Sequence, residues 1–386
     1  MLPLEGIRVV DFTWIELGPV CTQTLADFGA NVVKIERLER GDPSREHLFP
    51  CEGDDPVYLS MNRNKRSIAL ELKTERGSEI ARRLIEGADV LVENFRPGVM
   101  ERLGLGPDNL LALNERLIYA RGSGFGPSGP YSNKGGMDTL AQSLSGLMVA
   151  NGRDGTPKKV GSPIADFTGG LLLAQGVLLA LIARAQTGQG QLVTTSLLDG
   201  MVAAQLESVY WLNTGRRLNW AELPVDGPFP TKDGFVTVVD AFRPRLGELC
   251  AALGIEDLSS DPRYATTAAL IENRDQLDAR LAEAFRTRTT ADWLERLEAI
   301  DFLCVPVLSP EEALTHPQVL HNEMVIEMQR DGSTIKTLGF PVRLEATPAR
   351  LRYPPPALGE HTNEILHELG YAQDAIDVLL RDRIVQ

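Results

Sequence analysis

The feature that most constrains this chain is the alternation of short apolar runs with helical periodicity along its first two hundred residues. Residues 7–12 (IRVVDF) read as a buried strand, residues 21–28 have helical spacing, and residues 31–36 (NVVKIE) read as a second strand. A strand, a helix and a strand in succession make a βαβ unit, whose strands lie parallel because the helix carries the chain back. The alternation continues through 78–85, 89–93, 99–103, 117–120, a long apolar helix at 171–184 and a strand at 191–195. The expected fold class is α/β: a doubly wound, Rossmann-like large domain over 1–200. Near 223–230 (LPVDGPFP) the composition turns to proline and glycine, which marks a boundary and a linker over 201–224. A hairpin arm at 232–239 and helical runs at 246–253, 276–285 and 293–300 predict a smaller α+β domain over 225–325. A second linker, 326–359, holds a hairpin that turns at Asp331-Gly332. A helix near 360–369 lets residues 360–386 return to complete the large domain.

Composition narrows the partners. A formal net charge of −14 and scattered basic residues leave no electrostatic footprint for nucleic acid. The four cysteines, Cys21, Cys51, Cys250 and Cys304, form no Cys-x-x-Cys pair, so neither a zinc site nor a disulfide framework is expected and no metal is called. A reduced, cytoplasmic setting follows. The N-terminus lacks a basic segment followed by an apolar one, and the apolar run at 171–183 is too short to span a bilayer, so no membrane is expected and the run reads as a buried core helix.

Within this frame Asp166 stands out, a lone acid in GSPIADFTGG (161–170) just before the long apolar run. One reading is that Asp166 or Thr168 caps the helix that follows. The other starts from the absence of Lys or Arg between Gly161 and Ala183. A carboxylate beside a helix N-terminus is stabilised as an anion by backbone N–H groups and the dipole, is ionised at neutral pH, and needs no partner base to attack a carbonyl.

Two enzyme classes are disfavoured by motif. A dinucleotide-binding dehydrogenase would need Gly-x-Gly-x-x-Gly after the first strand, where the chain has TWIELGP (13–19), and GSGFG (122–126) fails the spacing. A serine hydrolase would need Gly-x-Ser-x-Gly, which is absent, and none of His47, His316, His321, His361 and His367 is an evident base.

Several motifs in order carry a resemblance: LEGIRVVDF (4–12), Gly18-Pro19, LADFGANVVKIER (25–37), NKRSI (64–68), DVLVENFRPG (89–98), LIYARGSGFG (117–126), TGQG (187–190) and LGEHT (358–362). Nearly end to end, the chain resembles the class III CoA-transferases (CaiB/BaiF type), a group that includes formyl-CoA:oxalate, carnitine and bile-acid CoA-transferases and the related alpha-methylacyl-CoA racemases. The resemblance implies a nucleophilic aspartate at Asp166 and transfer of CoA from an acyl-CoA to a small carboxylic acid through aspartyl anhydride and aspartyl-CoA thioester intermediates. CoA and acyl-CoA enter as substrates, and no permanently bound cofactor is implied. It also implies an interlocked, ring-like homodimer. The family's CoA site maps onto Ile15, Glu16, Leu17, Arg37, Leu70, Lys73, Asn94, Phe95, Arg102 and Met137, with Arg37 and Arg102 as the phosphate candidates. For each a structural reading stands beside the functional one: surface cations for the basic residues, core packing for Phe95, a turn for Asn94.

The chain departs from the family in three places. Glu16 stands where formyl-CoA transferases carry glutamine, and the glycine-rich loop of that subgroup is not evident between 219 and 234. In the racemases a histidine within Gly-His-Asp is one of two bases; here the triplet is Gly136-Met137-Asp138, and methionine cannot move a proton. An acyl-CoA racemase or isomerase therefore stands as the alternative function, and a noncatalytic CoA-binding protein or an NAD-dependent dehydrogenase as weaker ones.

Overall fold

The structure is a computed structural model that describes residues 1–46, 54–152, 156–216, 223–240, 245–330 and 332–386. His47, Cys51 and the turn residue Asp331, each singled out above, lie outside the described residues, as does part of the 219–234 segment.

The chain divides into two compact units, of which the first comprises residues 1–149, 158–204 and 321–386. Its centre is a parallel sheet of six strands, Arg8–Asp11 (β1), Asn31–Glu36 (β2), Lys65–Ala69 (β3), Val90–Glu93 (β4), Ile118–Ser123 (β5) and Gln191–Ser196 (β6), in the order β3-β2-β1-β4-β5-β6. The strand order reverses direction between β1 and β4, and in open α/β sheets ligands bind outside the carboxyl ends of the strands at that point. The helices in this part of the chain are Leu17–Asp27 (α1), Pro56–Met61 (α2), Glu75–Glu86 (α3), Val99–Arg102 (α4), Pro107–Leu113 (α5), Asp138–Leu144 (α6), Leu147–Ala150 (α7), Ile164–Thr187 (α8) and Leu197–Ala203 (α9).

Both faces of the sheet are covered, as near-continuous apolar strands require. On one face Val10, Phe12, Val33, Ile35 and Ile68 pack with Ile80 and Ile85 of α3 and with the chain's C-terminal elements. On the other, Val9, Val32, Val90, Val92 and Ile118 meet Cys21 and Leu25 of α1 and Leu173, Ala174 and Val177 of α8.

Two elements differ from the sequence expectation. The segment KRSIA at 65–69 is a strand although its pattern is polar, because Lys65 is wholly buried and its ammonium lies 3.1 Å from the equally buried carboxylate of Asp11. Pairing with Asp11 offsets part of the desolvation cost that makes an isolated lysine a poor core residue. The α8 helix begins seven residues before the expected 171. It has 24 residues and holds an 18-residue stretch of mean hydropathy 1.7, long and apolar enough to cross a membrane, so the expectation that the run is too short does not hold. It ends at Gly188, whose φ of 77° and amide bond to the Arg184 carbonyl (2.8 Å) form a left-handed cap.

The second unit, residues 150–157 and 205–320, has its own core. Strands Asp226–Pro230 (β7), Phe235–Val239 (β8) and Cys304–Pro306 (β9) form an antiparallel sheet. The helices are Glu207–Thr214 (α10), Leu246–Leu253 (α11), Thr267–Glu272 (α12), Arg274–Phe285 (α13), Thr290–Glu298 (α14), Pro310–Thr315 (α15) and Pro317–His321 (α16). Phe229, Phe285 and Trp293 stack at the centre, and the Trp293 indole N–H donates to the Phe285 carbonyl at 2.6 Å. Back in the first unit, Val325–Arg330 (β10) and Ser333–Leu338 (β11) make the hairpin read from sequence. Thr362–Glu368 (α17) and Gln373–Arg381 (α18) then bury Ile365, Leu366, Ile376 and Leu379 beneath the sheet.

Candidate active site

The loop from β1 to α1 is built on buried charge. Asp11 accepts hydrogen bonds from the Thr13 amide (2.8 Å), the Thr13 hydroxyl (2.5 Å) and the Thr22 hydroxyl (2.6 Å). Lys34 reaches the Thr13 carbonyl at 2.7 Å and pairs with Asp42 at 2.9 Å. Burial pushes the Lys65 ammonium down to about 8, while Asp11, raised by burial, is pulled below the usual carboxylate range by Lys65 and Lys34. So anchored, the loop presents Trp14, Ile15 and Glu16 at the switch point. Ile15 adopts a φ of 65°, a conformation costly for a β-branched residue, and its amide is held by Asp42 at 3.1 Å. Asn94, at the end of β4, accepts from the Trp14 amide and donates to the Trp14 carbonyl, both at 2.8 Å. Asn94 is thus a clamp between two strand ends, and its amide's bonds go to backbone rather than to a turn of its own.

Glycines set the approach of the next two elements. A Cβ at Gly170 would lie 2.5 Å from the Leu17 carbonyl oxygen, and one at Gly169 would lie 3.0 Å from the Leu17 side chain. Their absence lets the first turn of α1 settle onto the first turn of α8, where the Leu17 amide favours the ionised form of the nearby Asp166 carboxylate. A Cβ at Gly124 would fall 2.3 Å from the Cα of Gly136, so the segment before α6 packs directly on the end of β5 and brings Met137 and Asp138 alongside.

Asp138 is the residue that the sequence reading passed over, since the triplet was weighed only for its missing histidine. One Asp138 oxygen accepts from the Ala165 amide at 2.7 Å and the other from the buried Gln142 side chain at 2.6 Å. The first bond satisfies an orphan donor at the start of α8. Neither Asp166 nor Thr168 is therefore the cap: the N-cap position is Pro163, and Asp166 lies in the first turn with its carboxylate free of that task.

The electrostatics also differ from expectation. Asp166 is pushed up to about 6, by burial first and then by the negative charge of Asp138, while the amides of Leu17 and Asp138 pull the other way. Desolvation and a like charge outweigh the helix terminus, so the anion is not stabilised relative to water. Glu16, half-buried, is pushed up to about 7 by burial and then by the charges of Asp166 and Asp138. Both carboxyls are therefore displaced towards neutrality, Glu16 further than Asp166. No group of three or more His, Cys, Asp or Glu side chains among the described residues is placed to hold a metal ion.

These carboxylates line a cleft of about 1440 Å³ at the carboxyl ends of the strands. All ten residues mapped above line it with Asp166: Ile15, Glu16 and Leu17 from the first loop, Arg37 after β2, Leu70 and Lys73 after β3, Asn94, Phe95 and Arg102 after β4, and Met137 before α6. Leu17 and Leu70 are buried in its wall, whereas Met137 is 70 % exposed. Phe95 packs edge-on against Trp14 at 4.8 Å, and the Arg37 guanidinium lies 4.4 Å over the same indole while its Nε donates to the Gly41 carbonyl at 3.2 Å. Stacking of this kind fixes a guanidinium and leaves its other donors for a ligand. Trp14, Arg96, Asp138 and Lys159 also line the cleft and were not picked out from sequence; none of the described histidines does.

An open α/β cleft lined by carboxylates and a ring of cations fits many chemistries, and comparison with known proteins decides among them. The profile of CoA-transferase family III matches residues 4–362. The chain belongs to CoA-transferase family III. It is 34% identical over 397 residues to a succinyl-CoA:glutarate CoA-transferase of Mus musculus, covering 100% of this chain and 91% of that protein. It is 35% identical over 400 residues to a succinyl-CoA--D-citramalate CoA-transferase of Chloroflexus aurantiacus, covering 99% and 98%. The crystal structure of a CaiB/BaiF family protein from Brucella suis superposes with a TM-score of 0.86 at 33% identity, covering 95% of this chain and 99% of that one. The enzyme is a CoA-transferase, and its sheet is the α/β framework expected of the family.

Proposed function

We propose that the enzyme moves CoA from an acyl-CoA to a free carboxylic acid through covalent intermediates on Asp166. The observation that carries this reading is the position of the Asp166 carboxylate, in the first turn of α8, relieved of capping by Asp138, facing the cleft that holds Arg37, Lys73 and Arg102. A carboxylate oxygen attacks the thioester carbonyl and expels CoA thiolate, leaving a mixed anhydride. The thiolate then attacks the aspartyl carbonyl and releases the donor acid, leaving an aspartyl-CoA thioester. An acceptor carboxylate repeats both steps in reverse order and restores Asp166. The Leu17 and Asp138 amides serve as donors to the oxyanion when the aspartyl carbonyl is attacked. CoA is substrate throughout, with no resident cofactor. The names of the relatives support short dicarboxylic acids as the acyl groups.

The same reading carries an interlocked homodimer in the cytoplasm. Apolar surface on α8 supports the dimer, Leu179 and Ile182 being 59% and 60% exposed in the single chain. Free Cys21, Cys250 and Cys304 support the reduced compartment. A racemase would need a second base in place of Met137, and none of the described histidines lines the cleft.

Two measurements test the mechanism. Incubation with an acyl-CoA, acid quench and peptide mass analysis should place CoA, or its hydroxylamine-trapped equivalent, on the peptide that contains Asp166; a label on any other residue sinks it. The pH profile is the second. Asp166 attacks only when ionised, so kcat/KM falls below about pH 6. Glu16 ionises after Asp166, near 7, and adds a second negative charge facing the anhydride, so the rate also declines on the alkaline side. Glu16→Gln should abolish the alkaline limb and keep the acid one. A wild-type profile flat from pH 5 to 9 contradicts the assignment.

A further inference from the structure

A polar pocket of about 80 Å³ opens beside the cleft, between the loop after β4 and the segment that leads into α6. It shares Asn94, Arg96, Ser123 and Gly136 with the cleft, and Lys134 completes its wall. Neither Arg96 nor Lys134 is paired with a carboxylate among the described residues. Lys134 is steadied instead by the Tyr131 ring, 3.6 Å from its ammonium, and Tyr131 packs on Phe125 at 5.5 Å. Arg96 lies against Gly135, where a Cβ would come within 2.6 Å of its guanidinium. Two exposed cations thus border one small space, with no carboxylate paired to either among the described residues.

The pocket is too small for a nucleotide, and the cleft has its own cations for phosphates in Arg37, Lys73 and Arg102. It has room for a carboxylate. Lys134 is separated from Asp138 by three residues, and the close packing of Gly124 on Gly136 fixes that stretch beside the carboxylates of the reaction centre. A second carboxylate on a bound acyl group would be repelled by Glu16, Asp138 and Asp166 and attracted to this pocket. We propose that Arg96 and Lys134 bind the distal carboxylate of a dicarboxylic acyl group and so select dicarboxylic over monocarboxylic substrates. The proposal rests on the CoA-transferase reading for its substrate, and adds the site that tells one acid from another. A planar guanidinium offers two parallel donors to a carboxylate, and lysine adds a point charge.

The test compares succinyl-CoA with butyryl-CoA as donors, and glutarate with pentanoate as acceptors, for the wild type, Arg96→Gln and Lys134→Gln. The wild type should prefer the dicarboxylic member of each pair. Each variant should lose roughly ten- to a hundredfold more kcat/KM with the dicarboxylic than with the monocarboxylic member, as removal of a charge-assisted bond predicts. Equal losses on both would assign the cations to CoA phosphates or to the scaffold and overturn the proposal, as would a wild type indifferent to the second carboxylate. Dissociation constants of succinyl-CoA and butyryl-CoA, measured on Asp166→Asn and on its combination with Arg96→Gln, make the same comparison without turnover. They hold even where the nucleophile assignment fails, and that failure is seen separately as transfer by Asp166→Ala.

Discussion

Asp166→Asn is expected to abolish CoA transfer and, at pH 7.5, to give a protein more stable than the wild type. The first effect follows from the chemistry. An amide oxygen is too weak a nucleophile to open a thioester, and loss of a covalent nucleophile costs on the order of 10⁴- to 10⁶-fold in kcat. The second follows from linkage. The folded-state pKa of Asp166 is raised to about 6, above the ordinary aspartate value of the unfolded chain. The folded state therefore binds the proton more tightly, and stability falls as the pH rises from about 4 through about 6. Asparagine has nothing to ionise and keeps a carbonyl oxygen that can face the Leu17 amide. The gain at pH 7.5 is on the order of 1–2 kcal/mol after allowance for partial exposure, and shrinks towards pH 4. Thermal melts of both proteins at pH 4.5 and 7.5, with a transfer assay at 7.5, measure both effects. A helix cap would behave oppositely, losing about 1 kcal/mol on substitution. A variant that is less stable and still active returns Asp166 to a structural role.

That result would also mark where the sequence was legible. The strands and helices of the βαβ unit could be read because their apolar periodicity is local, and Asp166 drew attention because the lack of nearby Lys or Arg is also local. The β3 strand was missed because its register is set by a partner fifty-four residues away: Lys65 reads as surface until Asp11 is placed against it. Asp138 was missed for the same kind of reason. Its bond to Ala165 spans twenty-seven residues, and only the fold shows that the start of α8 is capped from outside. The direction of the Asp166 shift likewise depends on Asp138 and on burial, neither visible in the local motif. The cleft residues were reached through resemblance, and the fold brings them to one place without that resemblance having to supply the geometry.

Gly170→Ala makes the second large prediction, because it reverses a general rule. In an exposed helix interior alanine is more favourable than glycine by about 1 kcal/mol. At Gly170 the added Cβ would sit 2.5 Å from the Leu17 carbonyl and 2.7 Å from the Val20 Cβ, closer than non-bonded atoms approach. The oxygen belongs to backbone, so no rotamer change relieves the contact, and α1 must move away from α8. Overpacking of this kind costs about 1–3 kcal/mol, which exceeds the helical gain, so the melting temperature should fall. The catalytic loss should be larger. Moving α1 withdraws the Leu17 amide from the Asp166 carboxylate, and removal of one oxyanion donor typically lowers kcat by about 10²- to 10³-fold. KM for the acyl-CoA should change far less, since Arg37, Lys73 and Arg102 come from other elements. A Gly170→Ala enzyme that melts higher than the wild type and keeps its kcat would show that the close approach of the two helices does not position the nucleophile. A fall in kcat with an intact fold ties the Gly169-Gly170 pair to catalysis through the one amide it allows to arrive.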